Sequence, residues 1–180
     1  MNDVFISYRR RDPVRTWVQL FFRKLFIDWL GEQQDFAGRD VRVFIDDKIE
    51  TGDVWPETLQ RECQQSRVLV PIWSPSYFGQ PWCMYEWNAF RARGAPVLPV
   101  LFNGEPERLP EEAQRLQFAD FRTFAVTAPG FTTSQDFRGF EEQLKVFCAR
   151  VARASNAAAG EIVPPVEPIL PPSIPLARVA

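Results

Sequence analysis

Apolar runs short enough to be strands alternate with amphipathic helix patterns along about 150 residues, an order that argues for a parallel sheet covered on both faces. The first run, Asp3 to Tyr8, begins almost at the terminus, is rich in β-formers and ends in the basic tract Arg9-Arg10-Arg11. It is expected to be the central strand. Asp12-Pro13 then offers an N-cap and a proline at the first helical position, and Val18, Phe22, Leu25, Phe26 and Trp29 follow at steps of three and four up to Gly31. Val41 to Ile45 reads as the second strand, with a polar loop over residues 46–54 and a second helix opening at Trp55-Pro56 and reaching about Ser66.

Val68 to Trp73 is the third strand. Its internal Pro71 cannot donate to a ladder and predicts a bulge or an early strand end. Residues 74–80 are turn-rich and lead to a helix start near Pro81. Pro96 to Phe102 reads as a fourth strand, and Asn103 to Arg115 as polar and turn-rich. Gln117 to Phe124 reads as a fifth, edge-like strand. A last helix is expected from near Ser134, with Phe137, Phe140, Leu144, Phe147 and Val151 on one face.

Charge and composition exclude several function classes. With 21 basic and 23 acidic residues the formal charge is −2, so no broad basic field advertises nucleic acid. The longest apolar runs fall short of the ~20 residues of a membrane span, and the first residues lack the pattern of a signal peptide, so a cytoplasmic location is expected. Cys63, Cys83 and Cys148 are odd in number and widely spread, which predicts free thiols rather than a disulfide framework or a zinc site. The chain has no histidine, which excludes Ser-His and Cys-His nucleophilic catalysis. Acid–base chemistry would fall to carboxylates, Tyr, Lys or Cys.

Within residues 82–88, Trp82 and Glu86 stand four apart, so on a helix they share one face. An indole beside a carboxylate suits a flat, cationic ring. The same spacing also occurs on ordinary helices, with the indole inward and the carboxylate in water. From Glu161 onward the composition changes: six of the last twenty residues are proline, which precludes a helix or central strand and predicts an extended linker or tail over 157–180.

Four ordered motifs now bear on family. Val4 to Arg10 (VFISYRR), residues 44–55 (FIDDKIETGDVW), residues 68–87 (VLVPIWSPSYFGQPWCMYEW) and residues 97–102 (VLPVLF) together resemble a Toll/interleukin-receptor (TIR) domain, of the bacterial NAD-cleaving type, over residues 1–156. The resemblance implies a flavodoxin-like α/β fold, a five-stranded parallel sheet flanked by helices, with residues 46–54 as the family's BB loop. It also implies one of two functions: cleavage of NAD⁺ between nicotinamide and ribose, or a non-catalytic scaffold that associates with other TIR domains.

In the enzymatic reading the resemblance assigns Glu86 as the catalytic carboxylate and Trp82 as a wall of its pocket. NAD⁺ is then the substrate, with no separate cofactor and no metal. Phe5, Arg9 and Arg10, placed at the end of the first strand, are candidates for substrate contact, since open parallel sheets bind ligands there and arginine suits a pyrophosphate. Solvated arginines on a loop are the alternative. Asp46 and Trp55 complete the candidate set. Trp55 and Tyr85 could stack on a base or pack in the core, and Cys83, lacking a histidine partner, reads as structural. Expected partners are other TIR domains, as a homo-oligomer or filament, and a sensor domain or protein reached through the Pro-rich tail.

Overall fold

The computed structural model describes residues 1–45 and 57–159. Five parallel strands form one sheet in the order β2-β1-β3-β4-β5, where β1 is Val4–Tyr8, β2 Val43–Ile45, β3 Val68–Trp73, β4 Val100–Leu101 and β5 Ala119–Asp120. β1 and β3 are buried along their whole length, as expected of inner strands of a sheet covered on both sides.

Alternation along the strands divides the core. Val4, Ile6, Tyr8, Val68, Val70 and Ile72 face the cluster that holds α1 (Val14–Trp17), α2 (Arg23–Gly31) and α6 (Gln135–Ala158). Phe5 and Leu69 face the other side, against α3 (Glu57–Gln65) and α4 (Pro81–Ala92). Trp73 lies on that side too, in a cluster with Trp87 of α4 and Ala113 of α5 (Glu111–Gln114). On α6 the expected stripe packs inward: Phe140, Leu144, Phe147 and Val151 are buried, and Phe137 packs against the same cluster.

The structure corrects several sequence expectations. Pro71 causes neither a bulge nor an early end, since β1 and β3 pair without a break from Val4↔Val68 to Tyr8↔Ile72. Leu69 and Trp73 direct their backbone bonds to the β4 side, so Pro71, between them, faces its missing donor there. The gap appears in that ladder: Leu69↔Val97 is an isolated bridge, and regular pairing resumes only at Ile72↔Val100. With Pro96 and Pro99 beside it, β4 is reduced to two residues. β5 is short as well, because the Asp120 carboxylate accepts the Arg122 backbone N–H at 3.1 Å and turns the chain into a 3₁₀ segment, Arg122–Phe124.

The first helical stretch is not uniform: a π-helical segment, Val18–Phe22, lies between α1 and α2. The wider turn lets Phe21 and Phe22 both enter the core, Phe21 against Phe131 and Phe22 stacked on Trp17 and Phe26, while Leu20 is left exposed. Asp12 does not cap this helix; its carboxylate accepts the Thr16 hydroxyl at 2.6 Å instead.

At the amino edge of the sheet, Asp3 is 3% exposed and joins three strands. Its carboxylate accepts two bonds from Arg39 (2.8 and 2.9 Å), one from the Arg42 backbone N–H (3.0 Å) and one from Arg67 (3.1 Å). Asp3, Arg42 and Arg67 immediately precede β1, β2 and β3, so this anion ties the beginnings of all three. Burial alone would push the Asp3 carboxyl up, but the Arg39 and Arg42 hydrogen bonds and the charges of Arg39 and Arg67 outweigh it and hold the pKa below its usual value. A depressed folded pKa stabilises the fold above the unfolded value of ~3.9, and that contribution disappears as pH falls through the folded value. Asp3→Ala is therefore expected to lower unfolding free energy by about 2–3 kcal/mol at neutral pH, and by progressively less as pH is lowered below ~3.9, measured by urea denaturation.

Candidate functional site

β1 connects to β2 on one side and has β3 on the other, so the strand order reverses between β1 and β3. Loops leaving the carboxyl ends of such neighbours diverge and open a crevice above the sheet. Here β1 leads into Arg9 and Arg10, and β3 leads through residues 74–80 into α4. Gln80 is extended and Pro81 takes the first helical position, so α4 begins immediately above this crevice.

Two positions on from Phe5, Ser7 faces α3 and α4 and is 1% exposed. It meets Glu86, on the second turn of α4, whose side chain is only 4% exposed. The Ser7 hydroxyl donates to Glu86 Oε2. The Tyr77 hydroxyl, from the loop between β3 and α4, lies 2.9 Å from Ser7 Oγ and 3.3 Å from the Cys83 carbonyl oxygen. With the single Ser7 proton on the carboxylate, the single Tyr77 proton is shared between Ser7 Oγ at 2.9 Å and the Cys83 carbonyl oxygen at 3.3 Å. Burial, followed by the nearby Cys83 and Glu86 charges, holds the Tyr77 phenol well above its ordinary pKa. It therefore keeps its proton at neutral pH and remains a donor.

Glu86 and Trp82 share α4, as their spacing predicts, but the ordinary disposition is reversed: the carboxylate is inside and the indole is half-buried one turn earlier. Arg9 and Arg10 are half-buried at the carboxyl end of β1, and Arg9 Nη1 donates to the Ser76 carbonyl at 3.2 Å, joining that end to the loop before α4. Phe5 requires correction. It is the second residue of β1, fully buried, with its ring 5.1 Å from Phe44 and 5.6 Å from Phe90, so it belongs to the core beneath the crevice. Tyr85 is also a core residue, and burial pushes its pKa up to about 12. Asp46 and Trp55 lie outside the described residues.

Sequence reasoning missed Ser7 and Tyr77. The available signal for Ser7 was a hydroxyl at a position of β1 that alternation assigns to the interior. Tyr77 lay in a stretch read only as turn-forming. Among the described residues no cluster of His, Cys, Asp and Glu could hold a metal ion. Of the surface hollows among them, one is bordered by Trp29, Glu32 and Asp40 and another by Phe78, Arg108 and Arg122, and neither includes Glu86. No helix among the described residues is long and apolar enough to cross a membrane.

The model of the TIR domain family matches residues 4–130, and the chain belongs to that family. It is 26% identical over 136 residues to the disease resistance-like protein DSC2 of Arabidopsis thaliana, covering 73% of this chain and 10% of that protein. Over 131 residues it is 24% identical to a probable 2′ cyclic ADP-D-ribose synthase, BdTIR, of Brachypodium distachyon, covering 65% of this chain and 54% of that one. The chain thus spans about a tenth of the Arabidopsis protein and about half of the Brachypodium protein. Among solved structures, the TIR domain of the Toll-related receptor TRR-2 from Hydra magnipapillata superposes with a TM-score of 0.51 at 16% identity, over 81% of this chain and 99% of that one, which shows the shared fold.

The thiol beside the carboxylate is not poised for chemistry. Cys83 is 2% exposed, and burial together with the Glu86 charge pushes its pKa well up, against the weaker opposing influence of Arg10 and Arg9. Cys63 and Cys148 are fully buried, and burial raises Cys148 to about 12. All three thiols of the native chain are accordingly expected to react slowly with an aromatic disulfide reagent at pH 8 and rapidly once denaturant is added; rapid native reaction that is lost in Cys83→Ala would show that the α4 site is open.

Proposed function

We propose that this TIR domain is an NAD⁺ glycohydrolase with Glu86 as its catalytic carboxylate. The observation that carries the reading is a buried carboxylate held by a neutral hydroxyl at the strand-order reversal of a parallel sheet, with a half-buried indole one turn away on the same helix. The likeness to a probable cyclic ADP-D-ribose synthase supports it.

The chemistry suits a site without histidine. The bond between ribose C1′ and the nicotinamide nitrogen breaks with its electron pair passing to the ring, which neutralises the pyridinium, so the leaving group needs no proton. Positive charge develops on the ribose, as in other glycosyl transfers. An anionic Glu86 stabilises that charge from a fixed position, and fixed charge is the electrostatic contribution that most lowers such barriers. Water adds to C1′ and releases a proton, giving ADP-ribose; attack by a substrate nucleophile in place of water gives a cyclic isomer. Trp82 shields the nicotinamide side from solvent, Arg9 and Arg10 hold the pyrophosphate, and Asp46 and Trp55 contact the substrate from the segment that follows β2. Residues 1–156 constitute the catalytic domain, and 157–180 connect it to a sensor domain or partner protein in a bacterial immune or cell-death pathway.

Glu86 is nearly inaccessible in the single chain, so substrate must gain access through rearrangement. Self-association with other TIR domains supplies that rearrangement in this reading. The same closure favours a second reading, a non-catalytic scaffold that acts only by binding other TIR domains.

Nicotinamide release from NAD⁺ at high protein concentration with a crowding agent distinguishes the two. Turnover by the wild-type chain and a fall of about 10²-fold or more in a folded Glu86→Gln variant are expected. Self-association without turnover in the wild type establishes the scaffold, and equal rates in both proteins remove Glu86 from the chemistry.

A further inference from the structure

Ser7 and Tyr77 belong to no motif that assigns them a task, and neither is positioned by exposure to meet a ligand: Ser7 is 1% exposed and Tyr77 fully buried. We infer that they are positioning residues for Glu86, a two-hydroxyl chain in which Tyr77 donates to Ser7 and Ser7 donates to the carboxylate. This rests on the glycohydrolase reading and extends it, since it names what holds the catalytic anion in place.

Three observations support the inference. Glu86 Oε2 accepts from Ser7, which restrains the carboxyl against rotation about its last bond. Ser7 can donate to Glu86 and still have its oxygen satisfied because Tyr77 donates to that oxygen at 2.9 Å, which orients the serine proton toward the carboxylate. Both hydroxyls sit on hydrogen-bonded elements: Ser7 within a strand paired along its length on β3, and Tyr77 on a loop whose backbone N–H bonds the Ser74 carbonyl at 3.0 Å. The three groups come from β1, the loop before α4 and α4 itself. A carboxylate supported this way meets a developing cation without having to reorganise first, which is where preorganised charge acts on kcat rather than on substrate binding.

Tyr77 also has a structural role open to it, since its hydroxyl lies 3.3 Å from the Cys83 carbonyl and its ring packs on Phe78 and Trp87. A double-mutant cycle separates the two roles. Ser7→Ala, Tyr77→Phe and the double variant each remove hydroxyls while keeping most of the packing, and thermal melting confirms which of them are folded. NAD⁺ turnover is measured under the assembling conditions described above, with Glu86→Gln alongside.

The inference predicts that Ser7→Ala lowers kcat about 10-fold or more with KM within about twofold, that Tyr77→Phe lowers kcat by about 3-fold or more, and that the double variant is no slower than Ser7→Ala alone. Additive losses overturn it, because Tyr77 then acts through Cys83 or the loop and not through Ser7. A rise in KM with unchanged kcat also overturns it, as does wild-type kcat in both single variants while Glu86→Gln is inactive; in that last case the glycohydrolase reading survives. If Glu86→Gln turns over like the wild type, or the wild type does not turn over, both readings fail together. Should Ser7→Ala not fold, Tyr77→Phe decides alone by the same kcat and KM criterion.

Discussion

A carboxylate 4% exposed on the helix above two central strands is tolerable only if it is hydrogen-bonded, and β1 supplies a bond through Ser7. One donor comes from β1, the strand beneath α4, at a position that projects to the α4 side. That is position 7: alternation places it with Phe5 on that side, and it lies near the carboxyl end where the core gives way to the crevice. An apolar residue there would leave Glu86 without the Ser7 bond. The rest of β1 is apolar for the ordinary reason that it is covered on both faces.

The two edges of the sheet are built differently. At the amino edge, Asp3 is surrounded by donors from Arg39, Arg42 and Arg67, and the beginnings of β1, β2 and β3 are tied to a single anion. At the carboxyl edge the chains from β1 and β3 diverge, with Arg9 and Ser76 among the links between them. Both edges bury an acid. At one it accepts from charged arginines and serves register; at the other it accepts from the Ser7 hydroxyl.

Much of this was legible in the sequence. The alternation of strand and helix patterns gives the parallel sheet, and the four ordered motifs give the family. Pro81 gives the start of α4, and the spacing of Trp82 and Glu86 places them on one helix. What escaped was tertiary. Pro71 reads as a strand-breaker because sequence alone does not say which neighbour its nitrogen faces; it faces the short, proline-flanked β4, where little pairing is lost. The π-helical segment escaped because Phe21 and Phe22 are adjacent and a 3.6-residue period admits only one of them fully to the core. Phe5 reads with Arg9 and Arg10 as a strand-end residue although the run read as a strand already extends to Tyr8; its ring packs on Phe44 and Phe90 in the core. The burial of Glu86 escaped because its partner Ser7 lies 79 positions away in the chain.

The most direct measurement is a crystal structure of the Glu86→Gln chain grown with NAD⁺. If Glu86 is the catalytic carboxylate, the nicotinamide ribose lies against residue 86 with its C1′ facing the position of the carboxylate, the nicotinamide beside Trp82 and the pyrophosphate toward Arg9 and Arg10. NAD⁺ bound elsewhere, as in the hollow bordered by Phe78 and Arg122, with the Ser7 and Tyr77 hydroxyls undisturbed beneath an empty crevice, would contradict it.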